Sequence, residues 1–139
     1  MITLKRNTIS VSEYLDIRKK VNWKVLLPEQ AKLALENSLL VIGAYDGIEL
    51  VGMGRIVGDG AVICYVQDLI VSPDYQQKGV GSALLTALIS YVDSLRPADG
   101  QMMLCLMCAK GRESFYERHG FIARPTDALG PGMIQYLHQ

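Results

Sequence analysis

A surplus of positive charge is missing from this sequence. Its 14 lysines and arginines are matched by 14 aspartates and glutamates, so the formal net charge is zero. Nucleic-acid binders usually carry a basic excess, and no nucleic-acid partner is expected. Long apolar runs are missing too. None approaches the roughly 20 residues that cross a bilayer as a helix, so no membrane partner is expected. The opening Met1–Arg6 does not read as a signal peptide. Cysteine is scarce, with Cys64, Cys105 and Cys108 alone, and an odd number argues against a disulfide framework. Cys105 and Cys108 have C-x-x-C spacing, but no second Cys/His pair stands by to complete a metal site. They lie in QMMLCLMC, residues 101–108, an apolar run that reads as a strand. Strand positions three apart face opposite sides, so both are expected as buried thiols and no metal is expected. Internal repeats, low-complexity tracts and linkers are also absent. What remains is 139 residues, 50% of them hydrophobic, enough for one domain over residues 1–139 with a sizeable core.

The central stretch is strand, turn, helix. Val66–Val71 is an apolar run closed by Ser72-Pro73-Asp74. A polar loop, Tyr75-Gln76-Gln77-Lys78, leads into Gly79-Val80-Gly81. From Val80, apolar residues recur at helical spacing: Leu84, Ala87, Leu88, Tyr91, Leu95. The first N–H groups of a helix have no internal partner and point outward together, and the dipole adds positive potential there. The two glycines let a bulky anion approach the main chain. The loop is therefore built to hold a phosphate. It lacks the Gly-rich run before the lysine that a Walker loop needs, and the third glycine of a dinucleotide fingerprint.

Around this centre the elements alternate. Ile2 and Leu4 suggest a short first strand. Ser10 and Glu13 form a capping box for a helix to about Lys20. Pro28 suits the first turn of a second helix, through about Asn37. Residues 39–45 read as a strand, and Asp46-Gly47 as a hairpin signal. The return strand is roughly Ile48 to Val57, and Ala61 to Val71 follows after Gly58-Asp59-Gly60. The helix from Val80 should return the chain to a strand at 101–108, parallel to 61–71. A short helix then starts at Gly111 and stops at Gly120. Strands at Phe121–Arg124 and Met133–Leu137 close the chain. The fold class is α/β, with a mixed twisted sheet of about six to seven strands flanked by about four helices.

The residues Gln76-x-x-Gly79-x-Gly81 resemble the Q/R-x-x-G-x-G/A motif of the GCN5-related N-acetyltransferases (GNAT). Downstream, Phe115-Tyr116-Glu117-Arg118-His119-Gly120-Phe121 resembles that family's FYExxGF signature. The two stand in the family's order, and the resemblance covers most of the chain. It implies the single-domain acyl-CoA N-acyltransferase fold and acetyl-CoA as cosubstrate. With no membrane-length run and no signal-peptide pattern, the simplest location is the cytoplasm, where acetyl-CoA would also be found.

The resemblance also assigns roles. Gln76, Gln77, Lys78, Gly79, Val80, Gly81 and Ser82 would cradle the pyrophosphate, mostly through backbone N–H groups. Leu69, Ile70 and Val71 would bond the pantetheine arm as an added strand. Asp68 is the only acid in its apolar strand, which suits a general base for the incoming amine, although a structural role is as plausible. A water relay is the other route. Tyr116 matches the tyrosine that would protonate the departing thiolate. Glu113 and Glu117 are weaker candidates, and His119 is assigned no chemistry. Trp23, between the first two helices, faces either the acceptor or the core. Tyr75, with Tyr45 and Met53, would line an acceptor site or equally a core.

The first-choice acceptor is a primary amine of a small molecule, aromatic amine or polyamine among the candidates. A protein-lysine or N-terminal acetyltransferase is the alternative within enzymes, and a non-catalytic acetyl-CoA sensor the alternative outside them. Pairing of the C-terminal edge strand with another copy would make a homodimer.

Overall fold

The strand–turn–helix at the centre of the sequence is also the centre of the fold. The computed structural model describes residues 1–138. These fall into two compact units, Met1–Leu106 and Met107–Gln139.

The first unit is a five-stranded sheet in the order β1-β2-β3-β4-β5. Its strands are β1 (Ile2–Arg6), β2 (Leu40–Asp46), β3 (Glu49–Gly58), β4 (Ile63–Val71) and β5 (Met103–Cys105). The first four form an antiparallel meander, and β5 joins β4 in parallel after a crossover helix. The β2–β3 turn residues are Gly47 and Ile48, one place later than Asp46-Gly47, because Asp46 still pairs with Glu49. Gly47 takes a φ of 64° there, a conformation that glycine adopts without steric cost.

Helices α1 (Val11–Lys20) and α2 (Pro28–Glu36) pack together, and α1 also packs on β3. The capping box of α1 is formed: Glu13 N–H donates to Ser10 Oγ at 3.1 Å, and Ser10 N–H to Glu13 Oε1 at 3.0 Å. Tyr14, Ile17 and Ala31 from these helices share a core with Val41, Tyr45, Leu50, Met53 and Ile70 of the sheet. Helix α3 (Val80–Leu95) packs across β2, β3 and β4, burying Val80, Leu84, Leu85, Leu88 and Val92. Its approach is close enough that a Cβ on Gly54 of β3 would lie 2.7 Å from Leu88 Cδ1.

The second unit contains helix α4 (Glu113–Glu117). Phe115 meets Tyr116 edge-on at 5.1 Å, and Tyr116 meets Phe121 edge-on at 5.9 Å. Gly120 ends this helical stretch with a φ of 92°. The strands expected at 121–124 and 133–137 are not formed, so the sheet has five strands among the described residues rather than six or seven. The segment is broken by Pro125, Pro131, Gly130 and Gly132. Proline removes a ladder donor, and a strand lasts only where a neighbour pairs with it. Likewise only Met103–Cys105 of the expected 101–108 strand is paired, which leaves Cys108 exposed rather than buried. No helix among the described residues is long and apolar enough to cross a membrane.

Candidate active site

The loop between β4 and α3 is assembled by two left-handed residues. After a 3-10 turn at Pro73–Tyr75, Gln77 has a φ of 62° and Gly79 a φ of 82°. Gly79 is the residue that caps α3, and no side chain caps the helix. The N–H groups of its first turn are thus turned outward at the positive end of a 16-residue helix. A Cβ at Gly79 would find no atom within 4 Å, so the main chain is open on that side. This is an arrangement suited to an anion.

Three side chains brace the loop. Gln76 Nε2 donates to the carbonyl of Val71 at 3.0 Å, tying the loop to the end of β4. Tyr75 donates its hydroxyl proton to Asp46 Oδ2 at 2.6 Å, tying it to the β2–β3 hairpin. This bond pushes the Tyr75 phenol up to about 12 and holds the Asp46 carboxyl below its usual range. The ammonium of Lys78 lies 5.3 Å from the centre of the Tyr75 ring.

Strand β4 has two features that its sequence does not announce. Arg55 of β3 pairs with Gln67, and Met53 with Ile70. Gly54 therefore opposes two residues, Asp68 and Leu69, which is a β-bulge. Asp68 takes a φ of 55°, a left-handed conformation that aspartate tolerates better than most residues. In addition, β5 pairs with β4 only at Ile63, Cys64 and Tyr65. Beyond Tyr65, no described strand pairs with that edge of β4, and this stretch includes Leu69, Ile70 and Val71.

Asp68 is buried, and its carboxylate is crowded with donors. Arg18 Nη1 donates to Oδ1 at 2.8 Å and Gln67 Nε2 to the same oxygen at 3.3 Å. Arg55 Nε donates to Oδ2 at 2.8 Å, and the Tyr14 hydroxyl donates to Oδ2 as well. Burial, and then the neighbouring carboxylate, push the Tyr14 phenol up to about 12. A carboxylate holding four donors is fixed in place.

Trp23 is not in the core. It is 36% exposed, and the Arg18 guanidinium lies 5.4 Å from its ring. Tyr45 and Met53, by contrast, are buried in the core, so the packing role holds for them. Tyr116 lies in α4, within the aromatic group of the second unit. Glu113 there accepts from Gly111 N–H at 2.7 Å.

Sequence reasoning missed Tyr14, Arg18 and Arg55, three of the four partners of Asp68. A signal for one of them was present. Arg55 is the lone cation inside apolar β3, as Asp68 is the lone acid inside apolar β4, and neighbouring strands of a meander bring such a pair together.

The profile of the Acetyltransferase (GNAT) domain matches residues 37–123. An acetyltransferase of the GNAT family from Streptococcus pneumoniae is 30% identical, with a TM-score of 0.80 and 100% of both chains covered. A protein of unknown function from meticillin-resistant Staphylococcus aureus is 26% identical, with a TM-score of 0.86, covering 98% of this chain and 100% of that one. An uncharacterized N-acetyltransferase, ycf52-like, from Prochlorococcus marinus is 29% identical over 122 residues. That match takes in 85% of this chain and 66% of the relative's length.

Proposed function

Because the chain belongs to the GNAT family of acetyltransferases, we propose that it moves the acetyl group of acetyl-CoA to the primary amine of a small molecule by direct attack. One observation carries this reading. A helix start without a side-chain cap, opened by left-handed Gln77 and Gly79, adjoins a strand whose outer edge has no strand partner beyond Tyr65 among the described residues. The loop Gln76–Ser82 would hold the pyrophosphate on backbone N–H groups, with Lys78 adding charge. The edge of β4 at Leu69–Val71 would take the pantetheine arm as an added strand, which stretches the thioester along the sheet.

The acceptor amine must be neutral to attack. Its nitrogen then bonds the acetyl carbon, and the carbon–sulfur bond breaks. The Tyr116 hydroxyl would give its proton to the departing thiolate. The proton lost by the amine has two routes, a strand carboxylate or a water relay. The four donors on Asp68 favour the relay, with Asp68 fixing the bulge that precedes the arm's rail.

The test is release of free thiol from acetyl-CoA in the presence of arylalkylamines, polyamines, aminoglycosides or lysine peptides. Turnover with small amines supports the reading. Turnover with peptides alone would make this a protein acetyltransferase. Tight acetyl-CoA binding with no turnover on any amine would make it a sensor.

A further inference from the structure

Two guanidinium groups share one carboxylate inside the first unit. The side chain of Asp68 is fully buried, that of Arg55 10% exposed and that of Arg18 11% exposed. Among the described residues, neither arginine has an acidic partner other than Asp68. The cluster therefore retains one positive charge without a counter-ion. Arg55 directs Nη1 to the Ala34 carbonyl and Ser38 Oγ. The unspent capacity is on Arg18, whose Nε is buried and has no hydrogen-bond partner among the described residues.

The edge formed by Nε–H and Nη2–H is the fork with which a guanidinium takes a carboxylate by two parallel bonds. Among the described residues, Nη2 is engaged only by the carbonyl of Lys24, at 3.0 Å, in the link between α1 and α2. The partly exposed Trp23 ring stands against the same guanidinium. Asp68, held by Nη1 of the same guanidinium, immediately precedes Leu69–Val71. A group held on Arg18 is thus held beside the proposed rail for the thioester.

We propose that Arg18, with Trp23 as its apolar wall, recognises a carboxylate on the acceptor, so that the acceptor is an amine bearing a carboxylate, such as an amino acid. The incoming carboxylate displaces the Lys24 carbonyl from Nη2, satisfies Nε, and supplies the missing counter-charge. This rests on the amine-acceptor reading above and narrows it.

The experiment compares matched pairs on the full chain: phenylalanine against phenethylamine, and γ-aminobutyrate against propylamine. The wild-type protein is expected to favour each carboxylated partner by tenfold or more in kcat/KM, mostly through KM. In Arg18→Gln that preference ratio falls at least tenfold, with Arg18→Lys retaining part of it. Should Arg18→Gln fold poorly, the wild-type ratios decide alone. Should neither partner turn over, calorimetric binding of each pair to the CoA-saturated protein decides. Equal turnover or equal binding of the two partners overturns this inference while leaving acetyl transfer intact. Absence of acetyl-CoA binding would instead remove the reading on which it stands.

Discussion

The phenol of Tyr75 reaches across from the loop before α3 to Asp46 at the end of β2, at 2.6 Å. That bond fastens the loop to the hairpin on one side, as Gln76 fastens it to β4 on the other. Tyr75→Phe is expected to raise KM for acetyl-CoA about three- to tenfold, the loss of one charge-assisted hydrogen bond, with kcat little changed. The bond also sets a pH window. Raising the Tyr75 phenol from 10.0 to about 12 means its contribution is full below pH 10 and lost as pH rises through 12. Lowering the Asp46 carboxyl from 3.8 means the bond persists above that pH and fails as pH falls below it. KM for acetyl-CoA measured from pH 5 to 9 should therefore show no break from this pair.

Asp68 tests the division between holding and catalysis. Its side chain is fully buried between Arg18 and Arg55. Asp68→Asn leaves two buried guanidinium groups short of an anion, a loss of about 3–5 kcal/mol. Urea unfolding should show it. The surviving activity should keep the pH dependence of the wild type, because the amine's proton leaves by another route. A variant that folds stably but loses its pH dependence would make Asp68 the base.

Tyr14→Phe removes one donor from the same carboxylate. A hydrogen bond to a charged group contributes about 1.5–3 kcal/mol, and unfolding at pH 7 should report a loss in that range. The Tyr14 phenol is raised from 10.0 to about 12. Its contribution is accordingly full below pH 10 and disappears as pH rises through 12. The stability gap between wild type and Tyr14→Phe should narrow over that interval and not below it.

Gly79→Ala separates conformation from crowding. No atom lies within 4 Å of the new Cβ, yet φ is 82°. The substitution should cost about 1–2 kcal/mol of backbone strain with no packing defect. If the loop relaxes to relieve that strain, acetyl-CoA affinity falls about tenfold. Denaturation and KM measured on the same preparation distinguish the two.

The sequence carried local features well. The Ser10–Glu13 capping box, Pro28 at the start of α2, and the strand–loop–helix through Val80 each rest on residues within a few positions of one another, and all are formed. The network on Asp68 was hidden because its partners lie 54, 50 and 13 positions away. The lone charges of β3 and β4 hint at Arg55, but nothing local marks Tyr14 or Arg18 as partners of Asp68. The bulge was hidden because one extra residue in β4 alters pairing without altering the apolar pattern. The closing strands failed for the opposite reason: Met133–Leu137 has the composition of a strand, but composition does not supply a partner.

The central claim is that the loop from Gln76 to Ser82 is a coenzyme cradle. A calorimetric titration of acetyl-CoA into the full chain tests it most directly. Saturable binding at one site per chain, competed by CoA, is the expected result. A flat titration, with the protein shown to be folded, would contradict it.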